Sequence, residues 1–92
     1  MKELLDKPEK WLKGGEGLAV DSSGNVVSCH DDKAVRWDMA GAILRCYAGT
    51  DMSNGAFFAI IRETGVPMMN KWNDAPERTF EDVKNLLDKL DI

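Results

Sequence analysis

Histidine occurs once in this chain, at His30, and cysteine twice, at Cys29 and Cys46. That scarcity excludes a good deal of chemistry. A structural zinc site draws on separated Cys or His pairs that converge on one ion, and one imidazole with two thiols does not supply them. The dense run Cys29-His30-Asp31-Asp32 therefore reads as a loop thiol beside a surface imidazole; no metal and no cofactor are expected. Neighbouring side chains on a strand point to opposite faces, which also argues against a Cys29–His30 nucleophile pair. Two cysteines make no disulfide framework, and Cys46, set within an apolar stripe, is assigned to the core.

Long apolar runs are also missing, the longest apolar neighbourhood being broken by Gly41 and Arg45, so no segment approaches the roughly 18 residues of a membrane-spanning helix. Acids within Met1-Lys2-Glu3-Leu4-Leu5-Asp6 leave no apolar core for a signal peptide, and an intracellular setting without membrane contact is expected. An excess of positive charge is absent too. Twelve Lys and Arg against sixteen Asp and Glu give a formal charge of -4, which repels a phosphate backbone and disfavours nucleic acid as a partner. Lys7, Lys10 and Lys13 recur every third residue, but Asp6, Glu9 and Glu16 interleave with them, as on a solvated face. Gly14-Gly15-Glu16-Gly17 lacks the lysine and the strand-to-helix setting of a phosphate loop. With no Gly-x-Ser-x-Gly elbow, no His-Glu-x-x-His helix and only scattered carboxylates, an enzyme is disfavoured.

What remains is an ordinary globular composition, 43% hydrophobic and 30% charged over 92 residues, enough for a single compact domain spanning residues 1–92. Pro8 at a first helical position, Trp11 and Leu12 on an apolar side and the stop Gly14-Gly15 predict a short helix over Pro8 to Lys13, with the chain bent at Lys7 before the proline. Gly17–Val20 and Asn25–Ser28 flank Asp21-Ser22-Ser23-Gly24, a hairpin whose loop uses Gly24 for positive φ. A central helix is expected from Asp32 to Ala48, capped by Asp31 or Asp32, with Ala34, Trp37, Gly41, Leu44 and Ala48 on one stripe. The small run around Gly41 admits a close backbone. A third helix carries Ala56, Phe57, Phe58, Ile60 and Ile61, capped by Ser53 or Asn54 after Gly49-Thr50-Asp51 and stopped by Gly65 and Pro67. The last opens at Thr79 with Asp82 in a capping box and lines Phe80, Val83, Leu87 and Leu90 on one face. The fold class is α+β: about four helices packed with one short β-hairpin.

The run Trp72-Asn73-Asp74-Ala75-Pro76-Glu77-Arg78-Thr79 packs an aromatic, a turn, a charged pair and a helix start into eight residues. Asn73 and Asp74 suit turn chemistry, with short side chains bonding back to nearby N–H groups. Asp74 and Arg78 read as an ion pair clamping the loop, or as polar groups of a pocket beside Trp72; Trp72 itself is expected to plug onto Trp37 and Trp11.

Ala34-Val35-Arg36-Trp37 and Gly41-Ala42-Ile43-Leu44 after a Gly-rich hairpin, then Trp72-Asn73-Asp74, Arg78-Thr79 and Asp82-Val83, resemble a family of small bacterial and phage proteins of unknown function. The likeness covers most of residues 11 to 90 and departs at Asp38, where the family pattern often has a cysteine after the tryptophan. The resemblance implies a compact α+β domain of microbial or viral origin, in the bacterial cytoplasm or an infected host cell, and brings no activity with it.

Two function classes compete. One is a non-enzymatic protein-interaction or accessory module with a protein partner, using a surface near the hairpin and the Trp72 loop; its extreme form is an acidic inhibitor of a host defence protein. The other is a small-molecule binder or unrecognised enzyme with a pocket around Trp72, Asn73, Asp74, Arg78 and His30. Concavity discriminates them: a loop filled by its own side chains counts against the pocket. Trp11, Trp37, Gly41, Pro76 and Thr79 are assigned structural roles.

Overall fold

The structure, a computed structural model, describes residues 1–15, 17–50 and 52–92, with backbone alone for residues 52 and 53. Glu16 and Asp51 lie outside the described residues, as does the side chain of Ser53, one of the two caps expected for the third helix.

Lys7 is extended ahead of Pro8, as a residue preceding proline should be, but the helix expected over Pro8–Lys13 is a single 3-10 turn, Pro8–Lys10. Trp11 leaves that turn because it is claimed by a strand: it forms a parallel bridge to Trp37, and Leu12 N–H donates to the Trp37 carbonyl. The hairpin comprises β1 (Ala19–Val20) and β2 (Val26–Val27), with Asp21 Oδ1 accepting from Ser23 and Asn25 N–H and Gly24 at φ +85° closing the loop.

The central helix is corrected. Residues 32–38 are not helical; Arg36–Trp37 form β3, which pairs antiparallel with β1 to give the sheet order β2-β1-β3. Asp31 caps a turn, accepting from Lys33 N–H, and Val35 N–H donates to Val20 C=O. A short apolar run ending at Trp37 fits a helical stripe as well as a strand, and a neighbouring strand was there to pair with it. Helix α1 then spans Met39–Tyr47, capped by Asp38, whose Oδ1 accepts from Gly41 N–H at 2.6 Å. Helix α2 (Met52–Thr64) holds Asn54 inside its first turn and ends at Gly65, φ +70°. A short α3 (Met69–Asn73), not expected from the sequence, precedes α4 (Phe80–Leu90), where Thr79 and Asp82 form the reciprocal capping box.

The register sends Val27, Ala19 and Trp37 to the inner face of the sheet, where they join Met39, Ile43, Ile60, Trp72, Val83 and Leu87 in one core. The fold is α+β. Gly41 is where α1 meets the sheet: a β-carbon there would lie 2.2 Å from the Leu18 carbonyl oxygen, and that backbone is itself held by Asp38 N–H. The two thiols are the reverse of expectation, Cys29 buried, with its carbonyl accepting from the Trp37 indole N–H, and Cys46 exposed on α1. Among the described residues no helix is long and apolar enough to cross a membrane.

Candidate functional site

The Trp72–Thr79 segment begins inside a helix. Asn73 ends α3 fully buried, and its amide is used at every position: Oδ1 accepts from Trp11 Nε1 (2.7 Å) and Met39 N–H (3.1 Å), while Nδ2 donates to Leu12 C=O (2.9 Å) and Asp74 Oδ1 (2.8 Å). Two donors and two acceptor sites are all that an asparagine has. The local turn bonding expected of Asn73 is thus replaced by a tertiary junction. It ties the exit of the 3-10 turn, the first free N–H of α1 and the end of α3.

Asp74 continues the junction, its Oδ1 accepting from Gly14 N–H at 2.8 Å, where Gly14 sits at φ +74°. The expected Asp74–Arg78 ion pair is not the partnership found. Arg78 Nε instead donates to Trp72 C=O at 2.8 Å, its guanidinium lies 4.1 Å above the Trp72 ring, and its Nη1 stands 3.8 Å from Asp82. The planar, weakly hydrated guanidinium is suited to such stacking, whereas a second carboxylate contact would pull it off the ring. Pro76 lies in the turn closed by Arg78 N–H on Ala75 C=O, and Lys13 Nζ binds the carbonyls of Pro76 and Arg78.

Trp72 and Trp37 belong to the same buried cluster, and Trp11 packs against it. Trp37 Nε1 donates to Cys29 C=O, and the Arg45 guanidinium lies 5.9 Å from its ring. His30 is exposed after β2, and among the described residues no hydrogen bond or ion pair joins its side chain to the Trp72 segment. The structure therefore brings Trp11, Trp72, Asn73, Asp74 and Arg78 together and leaves His30 apart.

Asp38 borders this junction. Burial pushes its carboxyl up to about 6, the Gly41 N–H pulls it partly back, and the charge of Asp74 raises it again. Among the described residues, no buried side-chain nitrogen or oxygen lacks a partner, and no group of three His, Cys, Asp or Glu could hold a metal.

The surface is different on the far side of the sheet. Val26 is 55% exposed there, Val20 and Arg36 lie across from it in register, and Leu18 and Val35, next to β1 and β3, are exposed as well. Two adjoining concavities sharing Arg36 cover this face, and neither is lined by the Trp72 segment. This face is not evident from the sequence, because residues 34–37 also fit a helical stripe; Val35-Arg36-Trp37, β-branched then aromatic, is the strand signal it carries.

Residues 1–90 match DUF6197, a family of unknown function. The chain belongs to that family. Its coverage leaves two residues at the C-terminus, so the sheet, the Asn73 junction and all four helices lie within the family's extent. No curated protein and no solved structure matches the chain.

Proposed function

We propose that this DUF6197 domain is a non-enzymatic protein-interaction module, an accessory protein of bacterial or phage origin, that engages its partner through the outer face of the sheet. The observation that carries this is a contrast. The Asn73 amide is spent on internal hydrogen bonds and the Arg78 guanidinium is stacked on Trp72, whereas Leu18, Val26 and Val35 place aliphatic side chains in solvent on or beside one small sheet. A partner that covers them removes apolar area from water, the usual source of association energy. The loop filled by its own side chains weighs against the small-molecule pocket.

The test is affinity capture with cross-linking from a microbial lysate, using the parent chain and the paired variant Val26→Asp with Val35→Asp. A specific protein captured by the parent and lost by the variant, at an unchanged thermal midpoint, is the expected result. Capture of no specific partner, together with ligand-induced thermal stabilisation in a metabolite screen, overturns the proposal.

A further inference from the structure

The outer sheet face has two chemically distinct sections. Across the strands, Val26, Val20 and Arg36 stand side by side, and Leu12 closes an apolar groove over them. Beyond Arg36 the groove continues past Val35 to Lys7 and Lys10, with Glu9 the one acid lining it among the described residues. Asp6 pairs with Lys10 at 3.1 Å, whereas Lys7 and Arg36 make no ion pair among the described residues. On a chain with a formal charge of -4, this is a local reversal of sign beside exposed valines.

The backbone adds a polar edge. Asp21 N–H donates to Asn25 C=O, so the alternation of an antiparallel ladder makes Ala19↔Val27 the next hydrogen-bonded pair. Val26 N–H and C=O are thereby turned outward on β2, the edge strand farther from Arg36, where the end of a chain crossing the sheet can be received.

We infer that this groove binds a short extended peptide segment of a partner protein, acidic and bearing an aliphatic side chain. The inference rests on the interaction-module reading and narrows its partner class. The aliphatic group lies against Val26, beside Val20 and Leu12, which are already buried, and the carboxylates meet Lys7 and Arg36. Charge complementarity selects the segment: a basic peptide would face both cations, and a neutral one would desolvate them without compensation.

The experiment titrates the 15N-labelled chain with a short synthetic peptide alternating Glu and Leu, and with its Lys and Leu counterpart. Saturable amide shifts centred on Val20, Val26, Val35 and Arg36 are expected with the acidic peptide alone. Arg36→Glu and Lys7→Glu, both at exposed positions, should each weaken binding about tenfold and reduce its salt sensitivity. Val26→Asp serves as a second probe of the apolar section should either charge variant misfold. Absence of saturable binding, equal binding of the basic peptide, or undiminished binding by Arg36→Glu overturns the inference. So does self-association abolished by Arg36→Glu, which assigns the groove to a second copy. A protein captured through Val26 and Val35 whose binding ignores Arg36→Glu would leave the interaction module standing while this partner class falls.

Discussion

Replacing Asn73 with alanine tests the junction most directly. The substitution leaves Trp11 Nε1–H, Met39 N–H and Leu12 C=O without their partner, while Asp74 keeps its bond from Gly14. A buried polar group stripped of its partner costs about 1–3 kcal/mol. Met39 and Leu12 are buried and take that cost in full, whereas the half-buried Trp11 indole recovers some of it from water, so the expected loss is about 3–6 kcal/mol. Domains of this size hold about 5–15 kcal/mol in total, and each kcal/mol lost lowers the midpoint by about 4–8 °C. Urea denaturation followed by tryptophan fluorescence should therefore show a large fall in midpoint at an unchanged slope. Asn73→Asp keeps the acceptor but turns an oxygen toward Leu12 C=O and Asp74, and should be at least as damaging near neutral pH. A loss below about 1 kcal/mol for Asn73→Ala would refute the junction as an organising contact.

Gly41→Ala is expected to destabilise by more than the roughly 1 kcal/mol that alanine gains in helix propensity, because its β-carbon meets the Leu18 carbonyl rather than a yielding side chain; thermal denaturation decides it. Asp38 has a folded value of about 6 against 3.8 unfolded, so its favourable contribution is complete below 3.8 and is lost as pH rises through about 6. Asp38→Asn keeps the cap and should match the parent at pH 4 and exceed its stability at pH 7, by at most about 3 kcal/mol; a less stable variant at pH 7 would sink the assignment. Thr79→Ala should cost about 0.5–2 kcal/mol through loss of the capping box, measured by urea titration. Thiol labelling of the native chain should modify Cys46 rapidly and Cys29 only on unfolding.

Local signals carried some elements and failed at others for identifiable reasons. The Asp21–Gly24 loop and the Thr79–Asp82 box bond within a few residues, so their chemistry is complete in the sequence that encodes them. Helix α4 likewise shows its buried face in the spacing of Val83, Leu86 and Leu87. Residues 34–37 were ambiguous, because a short apolar run with Trp37 at its end fits a helix stripe as well as a strand; the pairing of Arg36–Trp37 with β1 broke the tie. Asp38 then became the cap in place of Asp31 or Asp32, since a helix cannot begin until the ladder has released the chain.

The candidate site divides the same way. The sequence by itself determined that Trp72, Asn73, Asp74, Arg78 and Thr79 would stand together, since eight consecutive residues bounded by Pro76 and a helix start cannot separate far. Only the tertiary structure decided what they do. Asn73 bonds to residues 34, 61 and 62 positions away, and no local rule specifies partners at that distance. The exposed sheet face has the same origin: Val26, Val20 and Arg36 are ordinary residues in sequence, strand register places them in one row, and packing of the N-terminal turn brings Lys7 to Arg36. Periodicity says which residues prefer burial, while pairing and close packing choose which of them receive it.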